Sequence, residues 1–164
     1  MVVAVERLDE LDRKLLLDLL MDGRVPYAEL GKKYGLSRQA IYNRIQSLKK
    51  RGVIKGFTVE VNPRSLGLNL RAYIFIVAEP SREAREESEK LLRKYPQISA
   101  IHLLLGRFDV LLDVLVRDID ELKNLLMEIH SLKMVRKTET FIVYQSVKDY
   151  PKHPIEGALA KAER

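Results

Sequence analysis

The sequence predicts an α+β protein with an N-terminal winged helix-turn-helix followed by a C-terminal ferredoxin-like βαββαβ domain. Apolar residues recur at helical spacing in three successive stretches of residues 8–52, and glycines separate the stretches. Beyond residue 69, short strand-like apolar runs alternate with two amphipathic helical stretches in the order βαββαβ. This change of periodicity predicts two domains.

Domain boundaries follow from the same patterns. Residues 62–69 contain Pro and Gly without periodicity, which is typical of a linker. We therefore expect a winged helix-turn-helix over 1–61, this linker over 62–69, the ferredoxin-like domain over 70–149, and a C-terminal tail over 150–164. The sequence of the tail does not predict what role this segment has.

Two helices are predicted before residue 36. Leucines at helical spacing predict an amphipathic helix over residues 9–22, with Asp9 as its N-cap and Gly23 as its stop. A second helix is expected to begin near Pro26, a residue suited to a first helical turn, and to end at Gly35.

The third helix is predicted with Ser37 as its N-cap and Gly52 as its end. Ile41, Ile45 and Leu48 share one face and are expected to point into the core. The following stretch, VIKGFTVEV, alternates apolar and polar residues around Gly56 and predicts a short β-hairpin, the wing.

Four strands and two helices are predicted after the linker. Strands are expected in LRAYIFIVAE, ISAIHLLLG, DVLLDVLVR and VRKTETFIVYQSV, with a tight turn at 106–108 between the second and the third. One helix begins after its cap, Ser81. The other is DIDELKNLLMEIHSL, in which Ile119, Leu122, Leu125, Leu126 and Ile129 share an apolar face.

Both faces of the first predicted strand are apolar. Ala72 and Ile74 point to one side, while Tyr73 and Phe75 point to the other. Two helices can cover only one face of a four-stranded sheet, so the other face needs a different cover. The same face of a second copy would provide it, and the sequence therefore predicts a homodimer.

Composition limits the class of protein. The chain is 46% hydrophobic and 32% charged, which fits a soluble globular fold rather than disorder. It has no uninterrupted apolar run long enough to cross a membrane, and its N-terminus lacks a basic signal-peptide region, so we expect a cytoplasmic protein. Cysteine is absent, which excludes disulfides and thiolate metal sites, and we expect no metal and no catalytic residues.

Positive charge is concentrated in residues 23–58, the basic segment. It contains nine Lys or Arg and one acidic residue, a net charge of +8, so the rest of the chain has −2 within the total of +6. Such asymmetry favours a polyanion as the partner of this segment. The helix-turn-helix order within it favours double-stranded DNA.

The outward side of the third predicted helix offers groups that suit DNA. Arg38, Gln39, Tyr42 and Asn43 lie near its N-terminus and are candidates for base-edge contacts, since Arg suits guanine and Gln or Asn suits adenine. Phosphate contacts are expected from residues around and after the helix, namely Ser37, Lys49, Lys50, Arg51 and Lys55. A dimer would present two such helices to a pseudo-palindromic site.

The chain resembles the leucine-responsive/AsnC family of transcription regulators, also called feast/famine regulators. The resemblance lies in LDELDRKLLLDLLMDGR, in GLSRQAIYNRIQSLKKRGVIKGFTVEVNPRSLG and in LLGRFDVLL, which occur in the family's order and spacing over residues 8–149. It implies dimerisation through the C-terminal domain, further assembly commonly to octamers, and regulation by an amino-acid effector. It also implies that Arg44 acts as a phosphate clamp or as an internal strut.

An effector site is implied at the turn before the third strand and at the start of the last strand. Gly106 can adopt a positive φ, and Asp109 could accept a hydrogen bond from an ammonium group. Arg107 stands where the family commonly has an acidic or polar residue, which favours a ligand carboxylate. The resemblance places the site at Gly106, Arg107, Phe108, Asp109, Thr138 and Thr140. The alternative is a hairpin turn in which Asp109 bonds local backbone.

One enzyme class remains an alternative function. The subunits of siroheme decarboxylases are similar in fold to this family, and such an enzyme would need a porphyrin pocket. His102, Arg107 and Tyr144 could serve there, although their spacing does not require it. The sequence shows no hydrolase, P-loop or dinucleotide-binding motif.

Overall fold

The computed structural model of the protein describes residues 7–161, so expectations about residues 1–6 and 162–164 fall outside the described residues. The chain divides into two compact units, one of residues up to 60 together with those from 148 onward, and one of residues 61–147. In chain order the elements are α1 (Glu10–Met21), α2 (Tyr27–Tyr34), α3 (Arg38–Lys50), β1 (Leu70–Ala78), α4 (Arg82–Leu92), β2 (Ile98–Leu103), β3 (Val110–Val116), α5 (Ile119–His130), β4 (Val135–Ile142) and α6 (His153–Lys161).

The first unit is built on the three predicted helices, and their caps have the expected chemistry. The side chain of Asp9 accepts a hydrogen bond from the backbone N–H of Asp12, and Ser37 Oγ accepts one from Ala40 N–H at 3.1 Å. Gly35 ends α2 with a φ of 67°. Buried apolar side chains join the helices into one core: Leu15, Leu19, Leu30, Ile41 and Ile45.

Gly31 shows how closely α2 approaches the turn into α3. A Cβ atom at this position would lie 2.6 Å from the carbonyl oxygen of Leu36. That oxygen belongs to the backbone and cannot move aside like a flexible side chain, so glycine is required here despite its poor helix propensity. The close approach fixes α3 against α2.

The predicted hairpin wing in VIKGFTVEV does not form. Residues 54–61 have no strand pairing, and Val59 is 76% exposed. Only the start of the segment is held, because the N–H groups of Val53 and Ile54 donate to the carbonyl of Leu48 at 3.0 and 3.2 Å. The positive-φ glycines of the described residues do not include Gly56, so the tight primed turn that the hairpin needs is missing.

The second unit has the predicted ferredoxin-like topology. Its four-stranded sheet has the order β2-β3-β1-β4, and every neighbouring pair is antiparallel. Helices α4 and α5 cover one face, where Ile74 and Ile76 of β1 lie in the core with Leu92 and Leu125. We call the other side of the sheet the open face.

Four local predictions about this unit were wrong. The connection between β2 and β3 spans residues 104–109, closed by a 2.8 Å bond from Leu104 N–H to the carbonyl of Asp109, so it is longer than a tight turn. Gly106 does not have a positive φ. Ile119 is 43% exposed because it opens α5, one turn before the buried face begins. The last strand ends at Ile142 rather than near residue 147.

The C-terminal tail contains a helix, α6, and belongs to the first unit. Its Leu159 is buried, and Lys152, just before the helix, donates to the carbonyl of Leu20 in the last turn of α1. None of the helices among residues 7–161 is both long and apolar enough to cross a membrane.

Candidate nucleic-acid interface and effector region

The N-terminal half of α3 presents the predicted base-edge candidates to solvent. Arg38, Gln39, Tyr42 and Asn43 are all exposed, whereas Ile41 between them is fully buried. The core contacts of Ile41 and Ile45 thus fix which side of the helix faces outward. This outward side is the surface that a DNA groove could meet.

The side chains of Gln39 and Asn43 form a hydrogen bond with each other. The side-chain amide nitrogen of Gln39 donates to Asn43 Oδ1 at 2.9 Å, across one helical turn. This bond leaves the amide N–H₂ of Asn43 and the carbonyl oxygen of Gln39 available, which is one donor group and one acceptor. Adenine presents the complementary acceptor and donor in the major groove.

Tyr42 is supported by a second aromatic residue at the start of α2. The rings of Tyr42 and Tyr27 lie with centroids 6.3 Å apart in a tilted arrangement. The side chain of Tyr42 therefore lies exposed at the surface, beside the start of α2.

Arg44 is turned away from the DNA-facing side of α3. Its guanidinium donates to Asp12 Oδ1 at 2.8 Å and also to Asp9, both at the start of α1. These two carboxylates raise the pKa of Arg44, with Asp12 the larger cause. Of the two roles that the resemblance implied, the structure supports the internal strut.

Arg51 also contacts the carboxylate of Asp12. Its guanidinium approaches Asp12 Oδ2 at 3.4 Å and donates to the backbone carbonyl of Arg7 at 2.6 Å. These contacts with Asp12 and Arg7 differ from the phosphate contact that the sequence predicts for Arg51. Asp12 is only 3% exposed, and we call it with Arg44 and Arg51 the Asp12 clamp. The clamp joins the middle and the C-terminal end of α3 to α1.

Sequence reasoning missed Asp12, although a signal was present. Asp12 falls at the same helical spacing as Leu8, Leu15 and Leu19, so it lies on the core-facing side of α1. A carboxylate on that side needs a cationic partner because burial of an unpaired charge is unfavourable. In the folded unit, Arg44 of α3 and Arg51, the C-cap of that helix, pair with Asp12.

The other candidate cations differ from Arg44 and Arg51 in their surroundings. Among residues 7–161, Arg38, Lys49, Lys50 and Lys55 form no ion pair and lie exposed. The structure therefore divides the predicted DNA-binding cations into two classes. Arg44 and Arg51 hold the unit together, while these four remain available to an anion.

The predicted effector residues do not form one group. In β4, Thr138 and Thr140 lie opposite Ile76 and Ile74, and directly opposed residues share a face of the sheet. Both threonines therefore face the helices, where Thr138 Oγ1 lies 2.7 Å from His130 Nε2 of α5. Arg107 and Phe108, by contrast, lie on the open face.

Asp109 is already bonded within the second unit. Its Oδ2 accepts from the backbone N–H of Ala78 at 2.9 Å, and Arg85 approaches Oδ1 at 3.4 Å. The backbone N–H of Asp109 donates to Ile76 at 2.9 Å. Asp109 thus ties the β2–β3 connection to the end of β1, which favours the structural alternative over direct contact with an ammonium group.

Glu139 is a residue of the open face that sequence reasoning overlooked. It lies opposite Phe75, and its carboxylate accepts from Arg107 at 3.2 Å and from Lys137 at 3.0 Å. Lys137 first and Arg107 second lower the pKa of Glu139, so it is ionised at neutral pH. The alternation of β4 could have shown that Glu139, rather than its neighbouring threonines, points to the same side as Phe75.

Aromatic rings form the floor beside this ion pair. Phe75 lies 5.0 Å from Phe108 and 5.6 Å from Phe141, measured between ring centroids, and Arg107 sits 4.6 Å above the ring of Phe108. An acid, a base and an apolar floor therefore lie together on the open face. This arrangement matches the charges and side chain of a zwitterionic amino acid.

The residues named for a porphyrin pocket are not gathered into one. His102 is exposed on β2, and Tyr144 lies beyond the end of β4 and is almost fully exposed. Within residues 7–161, no group of three or more His, Asp or Glu side chains could hold a metal ion.

Two family models match the chain. An AsnC-type helix-turn-helix domain matches residues 8–49, and an Lrp/AsnC ligand binding domain matches residues 71–152. The chain is similar to the HTH-type transcriptional regulator FL11 of Pyrococcus furiosus, with 36% identity over 91% of this chain and 97% of the relative.

Two solved structures have the same fold. AsnC of E. coli has a TM-score of 0.82 and 29% identity, covering 88% of this chain and 97% of its own. A transcriptional regulator of Neisseria meningitidis in complex with L-Met has a TM-score of 0.82 and 25% identity, covering 91% and 99%. The comparisons give no support to the siroheme decarboxylase alternative.

The Asp12 clamp predicts that substitutions of two cations of α3 change the stability of the first unit by different amounts. Arg44→Met leaves the buried Asp12 carboxylate with Arg51 as its remaining cationic partner, so the free energy of unfolding of the first unit should fall by about 1–3 kcal/mol. Lys50→Met should change it by less than about 0.5 kcal/mol because Lys50 is exposed. Exchange rates of the buried amides of Ile41 and Ile45 measure this quantity.

A double variant separates the clamp from general damage to α3. Adding Asp12→Leu to Arg44→Met removes the buried charge as well as its partner, and amide protection should return toward that of the parent protein. Equal losses for Arg44→Met and Lys50→Met, or no recovery in the double variant, would show that the clamp does not support the unit.

Proposed function

The chain belongs to the Lrp/AsnC family of transcription regulators, and we propose that it reads duplex DNA with the N-terminal half of α3. The observation behind this proposal is the exposed quartet Arg38, Gln39, Tyr42 and Asn43 on a helix whose opposite side is buried. Recognition helices of this class read base edges with the same part of the helix.

Each member of the quartet has a proposed role. Arg38 can form paired hydrogen bonds with a guanine. The Gln39–Asn43 pair presents one donor group and one acceptor to an adenine, and their mutual bond at 2.9 Å reduces the side-chain entropy lost on binding. Tyr42 supplies a flat apolar surface for a thymine methyl group.

Phosphate contacts come from the cations outside the Asp12 clamp. Lys49, Lys50 and Lys55 lie at the end of α3 and just after it, and Ser37 lies at its start. They supply affinity rather than sequence preference. Arg44 and Arg51 act as struts that hold α3 in place for these contacts.

We propose that two copies pack open face to open face. Phe141, which is 52% exposed, packs against Phe75, which also contacts Phe108, and such an apolar surface is unfavourable in water. A dimer would bring two recognition helices to a pseudo-palindromic site, and dimers could assemble to octamers. Because the ligand is duplex DNA, we place the protein in the cytoplasm and propose no enzymatic role.

An amino acid is the proposed effector, bound beside the open face. Arg107 would take its carboxylate and Glu139 its ammonium group, so the ligand would replace the 3.2 Å ion pair between them. The phenylalanine floor would meet its side chain. The Neisseria relative is described in complex with L-Met, which supports an amino acid as the ligand class.

Base readout and phosphate binding predict different mutant signatures. Asn43→Ala and Gln39→Ala should lower the ratio of affinities for the preferred and a scrambled duplex by roughly 5-fold to 100-fold, since a bidentate pair discriminates by about 1–3 kcal/mol. Lys50→Ala should weaken both duplexes alike and make the salt dependence shallower. Fluorescence titrations over a range of salt concentrations measure both quantities.

Glu29→Gln serves as a control because Glu29 lies on α2, outside the quartet, and is exposed. It should leave the affinity ratio unchanged. A quartet substitution that weakens both duplexes equally, as Lys50→Ala does, would refute the assignment of base readout to α3.

The effector proposal is tested by sedimentation and thermal melting with L-Met. The free protein should sediment as a dimer or larger, and millimolar L-Met should raise the melting temperature or change the assembly state. Glu139→Gln should abolish that response by removing the ammonium partner. The dimer should persist, because the apolar open face is unchanged.

Thr140→Val is the matched control, since Thr140 lies on the same strand but faces the helices. It should leave the L-Met response intact. A stable folded monomer would contradict the packing proposal, and an L-Met response lost equally in both variants would contradict the site. If L-Met has no effect, the same titration with other amino acids decides whether any effector binds.

A further inference from the structure

Helix α1 has two apolar faces, and the three-helix core uses only one of them. Leu15 and Leu19 are buried in the core with Leu30, Ile41 and Ile45. Leu16 and Leu20 follow each of them by one residue, which places them about 100° further around the helix. A second partner is therefore needed to cover this second face.

Helix α6 is that partner. Its Leu159 is 8% exposed although α6 is a short helix near the C-terminus, and Ile155 lies one turn before it. Both residues line a mostly apolar hollow of about 460 Å³, together with Leu16, Leu20 and Phe57. The hollow brings three parts of the first unit together: α1, α6 and the residues that follow α3.

Polar contacts fix the start of α6. Lys152 Nζ donates to the carbonyl of Leu20 at 3.3 Å, and carbonyls in a last helical turn lack partners within their own helix. Tyr150 donates to Glu156 at 3.3 Å, and its ring lies 4.2 Å from that of His153. Burial, with Glu156 and Glu60 adding to it, raises the pKa of Tyr150.

We propose that α6 is a C-terminal clasp of the DNA-binding unit that positions segment 53–57, and with it Lys55, for phosphate contact. The segment needs such support because its predicted hairpin is absent and only Val53 and Ile54 are tied to α3 by backbone hydrogen bonds. Phe57 and Lys55 line the same hollow as Ile155 and Leu159. Lys55 therefore belongs to a segment that lines the same hollow as α6.

The clasp lies outside the part of the chain that the family models match, because the last matched residue is 152 and α6 starts at His153. The DNA-binding unit of this chain is consequently larger than its matched helix-turn-helix domain. The role of Lys55 rests on the proposed DNA-binding function, whereas the packing of α6 on segment 53–57 does not.

The test compares two substitutions in α6 of the full-length protein. Leu159→Asp places a carboxylate against α1, whereas Ala160→Asp adds the same charge on an exposed neighbouring position. Leu159→Asp should accelerate exchange of the Val53 and Ile54 amides at least tenfold relative to Ala160→Asp. The amides of Leu112 and Val114 in the second unit should be unaffected by either.

The DNA measurement distinguishes positioning from mere loss of folded protein. Loss of the Lys55 contact should make the slope of log affinity against log salt shallower by about one per subunit. A smaller fraction of folded protein would lower the apparent affinity without changing that slope. The variant Leu159→Met, which conserves volume, should keep both the exchange rates and the salt slope of the parent protein.

Three results would overturn the clasp. They are equal exchange rates in Leu159→Asp and Ala160→Asp, faster exchange with an unchanged salt slope, and a Leu159→Met variant that behaves like Leu159→Asp. If Leu159→Asp unfolds the whole first unit, Lys152→Met takes its place, with the exposed Lys148→Met as its control. If the parent protein binds no DNA, the proposed function fails, and the exchange rates alone decide whether α6 holds segment 53–57.

Discussion

The buried carboxylate of Asp12 is the constraint on which the DNA-binding unit depends. It lies on the core side of α1 and is 3% exposed, so it requires cationic partners. Arg44 and Arg51 meet this requirement from the middle and the end of α3, and their contacts fix α3 against α1. The same contacts decide which cations remain for DNA. A surface that looks uniformly basic in sequence is therefore divided by one acidic residue into cations paired with Asp12 and exposed cations that remain available to an anion.

In the second unit, strand register likewise decides which side chains of β4 face the open side of the sheet and which face the helices. Alternation along β4 directs Glu139 and Phe141 to the open face and Thr138 and Thr140 to the helices. The proposed effector site and the proposed dimer surface consequently share one face, so a ligand at Arg107 and Glu139 would lie beside the contact between subunits. Ligand binding could then shift the assembly state through its different affinities for the alternative assemblies.

Local signals in the sequence were sufficient for most of the fold. Asp9, Ser37 and Ser81 cap helices as predicted, and the βαββαβ order follows from periodicity alone. Features that depend on contacts distant in sequence were not predictable in this way. The alternation around Gly56 does not specify a partner strand, and the contacts of Arg44 depend on the position of Asp12. The sequence pattern of the tail does not show that α6 lies against α1. Thr138 and Thr140 were predicted from the family resemblance, whereas the alternation of β4 directs both side chains toward the helices.

Salt dependence of DNA binding by the unmodified protein tests this division of charge most directly. If Lys49, Lys50 and Lys55 are the phosphate-neutralising cations, a dimer should give a slope of log affinity against log salt near −5 (roughly −0.9 per cation). The duplex upstream of the protein's own gene and a scrambled duplex serve as ligands. A slope of about −9 would mean that Arg44 and Arg51 also contact phosphates and that the Asp12 clamp opens on DNA. Absence of binding to either duplex at low salt would contradict the regulator function itself.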